Sequence, residues 1–270
     1  MKKILVLILG FSIGIQYATA QESGENNIKN VRFGLKTAGM LTWYKPDNAK
    51  KFENNGVSAK GCYGLMLEFR LNKVASIATG FQVDYFGGKL KMLDSNYYFL
   101  SKDSEFLKFA DSTTGTTRYI LNSRKYNTTY VTLPFSLKFK TPEIGTMTYF
   151  GQFGINASVK AKCRVDDEIN NTKWTDNFDK IKTEGGATQT DLDNTSDMNL
   201  IMLALNVGGG VEMNLAGSTS ILLGLNWYNG FSNVLKSDSK YLFGSPNNNN
   251  AAVDQDAKAS AIALTVGILF

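Results

Sequence analysis

The chain contains no histidine. That removes Ser-His-Asp and Asp-His arrangements and His-based metal hydrolysis, which proteases, phospholipases and acyl transferases typically require. It has two cysteines, Cys62 and Cys163, so a disulfide framework does not organise it, although one bridge between them stays open. Beyond the first twenty residues no long uninterrupted apolar stretch occurs, which excludes a membrane-spanning helix. Strong charge is absent too. The formal charge of +5 falls by two if Lys2 and Lys3 are removed with a leader, and the basic residues are scattered, so no nucleic-acid partner is expected.

Ligand-binding signatures are equally thin. Gly208-Gly-Gly210 is followed by neither a helix nor a Lys-Ser/Thr pair, so it reads as close wall packing rather than a phosphate cradle. The stretches Asp166 to Glu168 and Asp191 to Asp197 offer oxygen ligands but lack the mid-loop Gly and terminal Glu of an EF-hand. No cofactor and no metal are expected.

What the chain does contain is a period of two. In Ile262-Ala-Leu-Thr-Val-Gly-Ile-Leu-Phe270, Ile262, Leu264, Val266, Ile268 and Phe270 share one face of a strand, while Ala263, Thr265 and Gly267 share the other. A wholly apolar outer face is hard to explain in water and is the pattern of a strand with one face on lipid. The amino-terminus agrees with export: Lys2 and Lys3, an apolar core from Ile4 to Ile15, and Ala18-Thr19-Ala20 before Gln21 read as a signal peptide over residues 1–20. A polar segment spans 21–30, and one domain is expected over 31–270.

Eight candidate strands carry this alternation: Val31 to Tyr44, Lys60 to Leu71, Val74 to Phe86, Tyr126 to Phe139, Met147 to Val159, Asn199 to Met213, Thr219 to Phe231 and the carboxy-terminal segment. Short connections alternate with long ones. Lys140 to Gly145 and Asn214 to Ser218 are short, whereas Gly87 to Lys125, Lys160 to Met198 and Ser232 to Ala257 are long. The expected fold is therefore all-β, an eight-stranded antiparallel transmembrane β-barrel with short periplasmic turns and long extracellular loops in a Gram-negative outer membrane. A ten-stranded barrel is the alternative, because Gly87 to Lys125 could hide a hairpin. Outward aromatics fall into two bands: Phe33, Phe69, Phe139, Tyr149 and Phe270 near the short turns, and Trp43, Tyr63, Tyr85, Trp227 and Phe231 near the long loops.

The inward parity carries Arg32, Lys36, Lys60, Glu68, Arg70, Asp84, Lys138 and Glu212. Enclosed charges need partners, so these eight are expected to form a lumen network with a structural rather than catalytic role. An interior of eight strands is filled by side chains or holds one small ligand. Aromatics in the long segments (Tyr97, Tyr98, Phe99, Phe106, Phe109, Trp174, Phe178, Tyr241 and Phe243) either pack among the loops or offer a binding surface.

Several segments resemble the PorT-like family of outer-membrane β-barrels: Val31-Arg-Phe-Gly-Leu-Lys-Thr-Ala-Gly39, Ala78-Thr-Gly-Phe-Gln-Val-Asp-Tyr85, Tyr130-Val-Thr-Leu-Pro-Phe-Ser-Leu-Lys138, Tyr149-Phe-Gly-Gln-Phe-Gly154, Gly208-Gly-Gly-Val-Glu212 and Gly224-Leu-Asn-Trp-Tyr-Asn-Gly230. The resemblance implies a small OmpA-type barrel and admits a role near protein secretion. Expected surroundings are outer-membrane lipid and lipopolysaccharide, with an envelope or secretion protein as partner through the loops. The functional expectation is a non-enzymatic structural or interaction protein. The alternative is a barrel that transports or binds a small solute.

Overall fold

The computed structural model describes residues 31–93, 118–174, 180–182, 187–239, 242 and 254–270. The leader, the polar segment and the loop aromatics other than Trp174 lie outside the described residues. In chain order the strands are β1 (Val31–Pro46), β2 (Phe52–Asn54), β3 (Ser58–Arg70), β4 (Ala75–Met92), β5 (Arg118–Lys140), β6 (Met147–Trp174), β7 (Lys180–Lys182), β8 (Ala187–Asp193), β9 (Ile201–Ala216), β10 (Thr219–Gly230) and β11 (Ala257–Leu269).

Eight of them, β1, β3, β4, β5, β6, β9, β10 and β11, form an antiparallel ring. Each pairs with the next, and β1 returns to β11 from Gly34↔Leu269 to Pro46↔Ala257. Beyond that register the Phe270 amide donates to the Phe33 carbonyl at 2.8 Å. The short strands β2, β7 and β8 attach at the long-loop end, β2 to β4 and the other two to β6. The stretch Gly87 to Lys125 adds no hairpin to the wall, since β4 pairs directly with β5. The barrel therefore has eight staves, not ten.

The short turns are built from residues suited to them. Gly145 and Gly217 adopt φ of +68° and +58°, a region that costs glycine nothing. At the β3–β4 turn, Asn72 Oδ1 accepts the amides of Val74 and Ala75 at 2.8 and 2.7 Å. The glycine run is wall packing: a Cβ at Gly210 would collide with the Leu223 carbonyl oxygen, and one at Gly208 with Asn226 Oδ1.

The outer wall is apolar and exposed. Leu35, Leu65, Phe81, Leu133, Phe135, Phe153, Ile155, Ile201, Leu225 and Leu264 all point away from the barrel. Residues of both aromatic bands lie on this wall: Phe33 stands 5.5 Å from Phe270 at the short-turn end, and Tyr63 stands 6.3 Å from Tyr85 at the other, centroid to centroid. From Phe33 to Trp43, ten residue steps of about 3.3 Å on a strand tilted about 40° rise roughly 25 Å, the height of a barrel's apolar band.

Above that band the polarity inverts. Lys89, Lys91 and Lys125 take the outer positions while Phe86, Leu90, Met92 and Tyr126 are buried inside. In β6 the inversion is made by a bulge: Thr129 pairs with Lys162 but Tyr130 with Lys160, leaving Ala161 unopposed. Beyond it Cys163, Val165 and Ile169 turn inward. Long segments read as loops are thus partly strand, because a wall can continue past its apolar band once its apolar residues turn inward. Cys62 and Cys163 are both buried and free.

The exposed wall makes a direct prediction. Leu264 is 61% exposed, so Leu264→Arg would be nearly neutral if that face met water. On lipid the substitution is expected to cost about 2–4 kcal/mol, read as a fall in urea midpoint for unfolding from vesicles.

Candidate functional site

The lumen has three layers. At the short-turn end, β1, β3, β5 and β9 bring five charges together. Arg32 Nη1 donates to Glu212 Oε2 at 2.8 Å and Arg32 Nη2 to Ser220 Oγ at 2.7 Å. Lys138 Nζ bridges Glu68 Oε2 at 3.2 Å and Glu212 Oε1. Lys140 Nζ repeats the bridge, to Glu68 Oε1 and, at 3.0 Å, to Glu212 Oε2. Ser76 Oγ donates to Glu68 Oε1 at 3.0 Å, and the Lys138 ammonium lies 4.2 Å from the centroid of the Phe150 ring. Three cations thus enclose two carboxylates, and every member is nearly inaccessible.

At mid-depth the layer is polar but mostly uncharged. Asp84 accepts Gln82 Nε2 at 2.7 and 2.9 Å and Thr132 Oγ1 at 2.6 Å, and Thr132 also meets Ser158 at 2.7 Å. Gln152 Nε2 donates to Asn226 Oδ1, whose Nδ2 reaches Thr265. Gln82, Gln152, Asn226 and Thr265 border a cavity of about 60 Å³ lined also by Lys36, Asn156 and Asn206. Gln82 Oε1, Asn156 Oδ1 and Asn206 Oδ1 are buried without a protein partner, which suits a few enclosed waters.

The long-loop end is sealed. Tyr44 stacks on Phe86 and meets Tyr126 edge-on, with Tyr130 edge-on to Phe86. Met198, Val234, Leu235 and the inward alanines Ala257, Ala259 and Ala261 complete the cluster. Asn199 Nδ2 ties the segment after β10 across the mouth by donating to the carbonyls of Asn233 and Leu235, both at 2.9 Å. Above, Arg124 grips Asp167 through Nε and Nη2 at 2.6 and 2.7 Å, both fully buried. Burial opposes the guanidinium's charge, Asp167 more than offsets it, and the Arg124 pKa lies above its ordinary value.

The eight residues read as a lumen network therefore separate. Arg32, Glu68, Lys138 and Glu212 meet in the charge cluster. Asp84 belongs to the mid-depth layer, and Lys36 lines its cavity without an ion pair among the described residues. Arg70 is half-buried next to the β3–β4 turn and makes no ion pair among the described residues, so it is not part of the network. Lys60 is a further correction. Pairing of β3 with β4 begins only at Cys62↔Asp84, and Lys60 passes over Gly87 to donate to Asn127 Oδ1 at 2.7 Å on the outer wall.

Lys140 and the Arg124–Asp167 pair were not singled out from the sequence. Lys140 shares the parity of Lys138, so extending that strand by one residue would have found it. Among the described residues no group of three or more Cys, Asp and Glu could hold a metal ion.

The excess of one positive charge in the cluster sets the order of two substitutions. Glu212→Leu leaves three buried cations on one carboxylate and is expected to cost about 3–5 kcal/mol. Lys140→Met leaves two of each sign and is expected to cost clearly less. Urea unfolding of both variants in vesicles checks the ranking, and equal losses would contradict it.

No family model matches the chain, and no curated protein matches it in sequence. Solved structures with a similar chain path are outer-membrane proteins. Neisserial surface protein A is 7% identical over 89% of this chain and 96% of its own, with a TM-score of 0.41. Outer membrane protein OprG from Pseudomonas aeruginosa is 12% identical over 88% and 95%, with a TM-score of 0.39. The outer membrane protease OmpT from Escherichia coli is 10% identical over 92% and 99%, with a TM-score of 0.35. At these values the likeness is one of general architecture, and the barrel rests on its own strand pairing.

Proposed function

We propose that the chain is a non-enzymatic outer-membrane protein of a Gram-negative bacterium, a sealed barrel that works by presenting its long-loop end to an envelope partner. The sealed lumen carries this reading. A solute crossing it would have to break the Glu68–Glu212 cluster, pass a cavity of about 60 Å³ and displace the aromatic seal. Pockets for small ligands usually start near 300 Å³, which weighs against the alternative of a transport or ligand-binding barrel.

Location in a membrane is supported by the outer wall, where large apolar side chains stand exposed on all eight staves, more than soluble monomers tend to leave uncovered. Outer-membrane lipid and lipopolysaccharide would be its surroundings. The narrower role, accessory to protein secretion or envelope integrity, draws on the resemblance to PorT-like barrels. The segment Tyr130 to Lys138, which carries that resemblance most specifically, lines all three layers. Tyr130 enters the seal, Thr132 and Ser136 the polar layer, and Lys138 the charge cluster.

In planar bilayers the wild-type protein is expected to give no sustained conductance steps, and Tyr44→Ala combined with Tyr126→Ala should stay closed as well, because the charge cluster still fills the short-turn end. Stable wild-type steps would overturn the sealed reading. Cross-linking in native membranes should recover a defined envelope protein, and recovery of none would count against the interaction role.

A further inference from the structure

On the outer wall, directly above the long-loop aromatic band, lies an open groove of about 220 Å³ lined by Lys60, Tyr85, Asn127, Thr129, Lys162, Arg164 and Asp191. Strand register assembles it. Tyr85, Thr129 and Lys162 form one row across β4, β5 and β6, and Gly87, Asn127 and Arg164 form the next, with Lys89, Lys125 and Asp166 above. The bulge at Ala161 is what turns Lys162 and Arg164 outward.

The charge balance is uneven. Lys60, Lys125, Lys162 and Arg164 face two carboxylates, Asp166 and Asp191, while Lys89 is engaged at 2.9 Å by Glu168. Asp166 is spent on the Asn127 amide at 3.3 Å and the Asp191 backbone amide at 3.0 Å. Asp191 stands 3.8 Å from Arg164 Nε, and its own carboxylate is largely in solvent. Arg164 Nη1 donates to the Asp191 carbonyl at 3.0 Å, but its Nε has no hydrogen-bond partner. Lys125 and Lys162 make no ion pair among the described residues. Burial, then the charge of Lys125, lowers the Lys60 pKa against the pull of Asp166.

We infer that this groove holds a phosphate group on a lipid headgroup of the outer leaflet. Its excess of cations suits a tetrahedral oxyanion, since guanidinium and ammonium donors recognise phosphate by charge-assisted hydrogen bonds. Its height identifies the source. The groove begins at Tyr85, an exposed residue of the aromatic band, and such bands sit at headgroup level. A soluble phosphate would meet it only through the headgroup layer. This inference rests on the barrel lying in the outer membrane as proposed above.

The test uses the full chain in phosphatidylcholine vesicles that contain a minor fraction of either diphosphorylated lipid A or its dephosphorylated form, with lipid retention read by native mass spectrometry. Wild type should retain the diphosphorylated form preferentially. Lys162→Gln with Arg164→Gln should weaken that preference about thirtyfold, from roughly 1 kcal/mol for each basic residue near a membrane surface. Lys45→Gln with Lys258→Gln, on β1 and β11 across the barrel from β5, should leave it unchanged. Equal retention of the two lipids, or the same loss in the distant pair, would overturn the inference while leaving the barrel reading intact. Inorganic phosphate that competes as well as the lipid would overturn the lipid source. Failure to enter vesicles at all would overturn the barrel reading, and this inference with it.

Discussion

A peptide group inside hydrocarbon has no water to bond, so every one must find its partner within the protein. The pairing of β1 with β11 meets that demand, because it removes the edges an open sheet would expose. Once the sheet closes on itself, alternate side chains have only two destinations, lipid or lumen. The apolar parity of all eight staves and the small or polar parity opposite it follow from that choice. Closure also explains why the last residues matter: Phe270 both completes the backbone ladder against Phe33 and adds its ring to the aromatic band there.

Closure creates a second problem, a narrow interior that must be filled. The protein solves it differently at each depth. Near the short turns it uses charge, with two glutamates shared among an arginine and two lysines, so that each desolvated group keeps several opposite partners. At mid-depth amides and hydroxyls bond one another around a small cavity. Towards the long loops, where the wall has left the lipid, the filling becomes aromatic and aliphatic, as in a water-soluble core. That last layer turns the upper barrel into a globular cap, and its outer surface, freed from lipid, can carry lysine and arginine.

Much of this was legible in the sequence, and the misses fall at a bulge and at strand ends. Strand identity and facing follow from period two and hold along the exposed apolar wall. The reading weakens where apolar residues change sides. Cys163, Val165 and Ile169 keep the parity of Ile155 and Val159, so nothing local shows that a single unopposed Ala161 sends them inward. The same bulge hid Arg124 and Asp167, which meet only because both strands continue. Lys60 shares the inward parity of Cys62, yet escapes the lumen because its strand has no β4 partner at that height and Gly87 offers no obstacle. Arg70 fails for a plainer reason, since it stands at a turn where water reaches it.

In the function proposed above, a filled lumen and an elaborated rim leave the work to the outside of the barrel, towards lipid headgroups and an envelope partner. All of it assumes that the wall is solvated by hydrocarbon. Nitroxide labels placed one at a time from Ile262 to Ile268, in a Cys62→Ser, Cys163→Ser background reconstituted in vesicles, test that most directly. Labels at Ile262, Leu264, Val266 and Ile268 should relax strongly with dissolved oxygen and hardly at all with a water-soluble nickel chelate, alternating with shielded labels at Ala263, Thr265 and Gly267. Equal access of the nickel chelate to the first set would show that the wall faces water and would contradict the account.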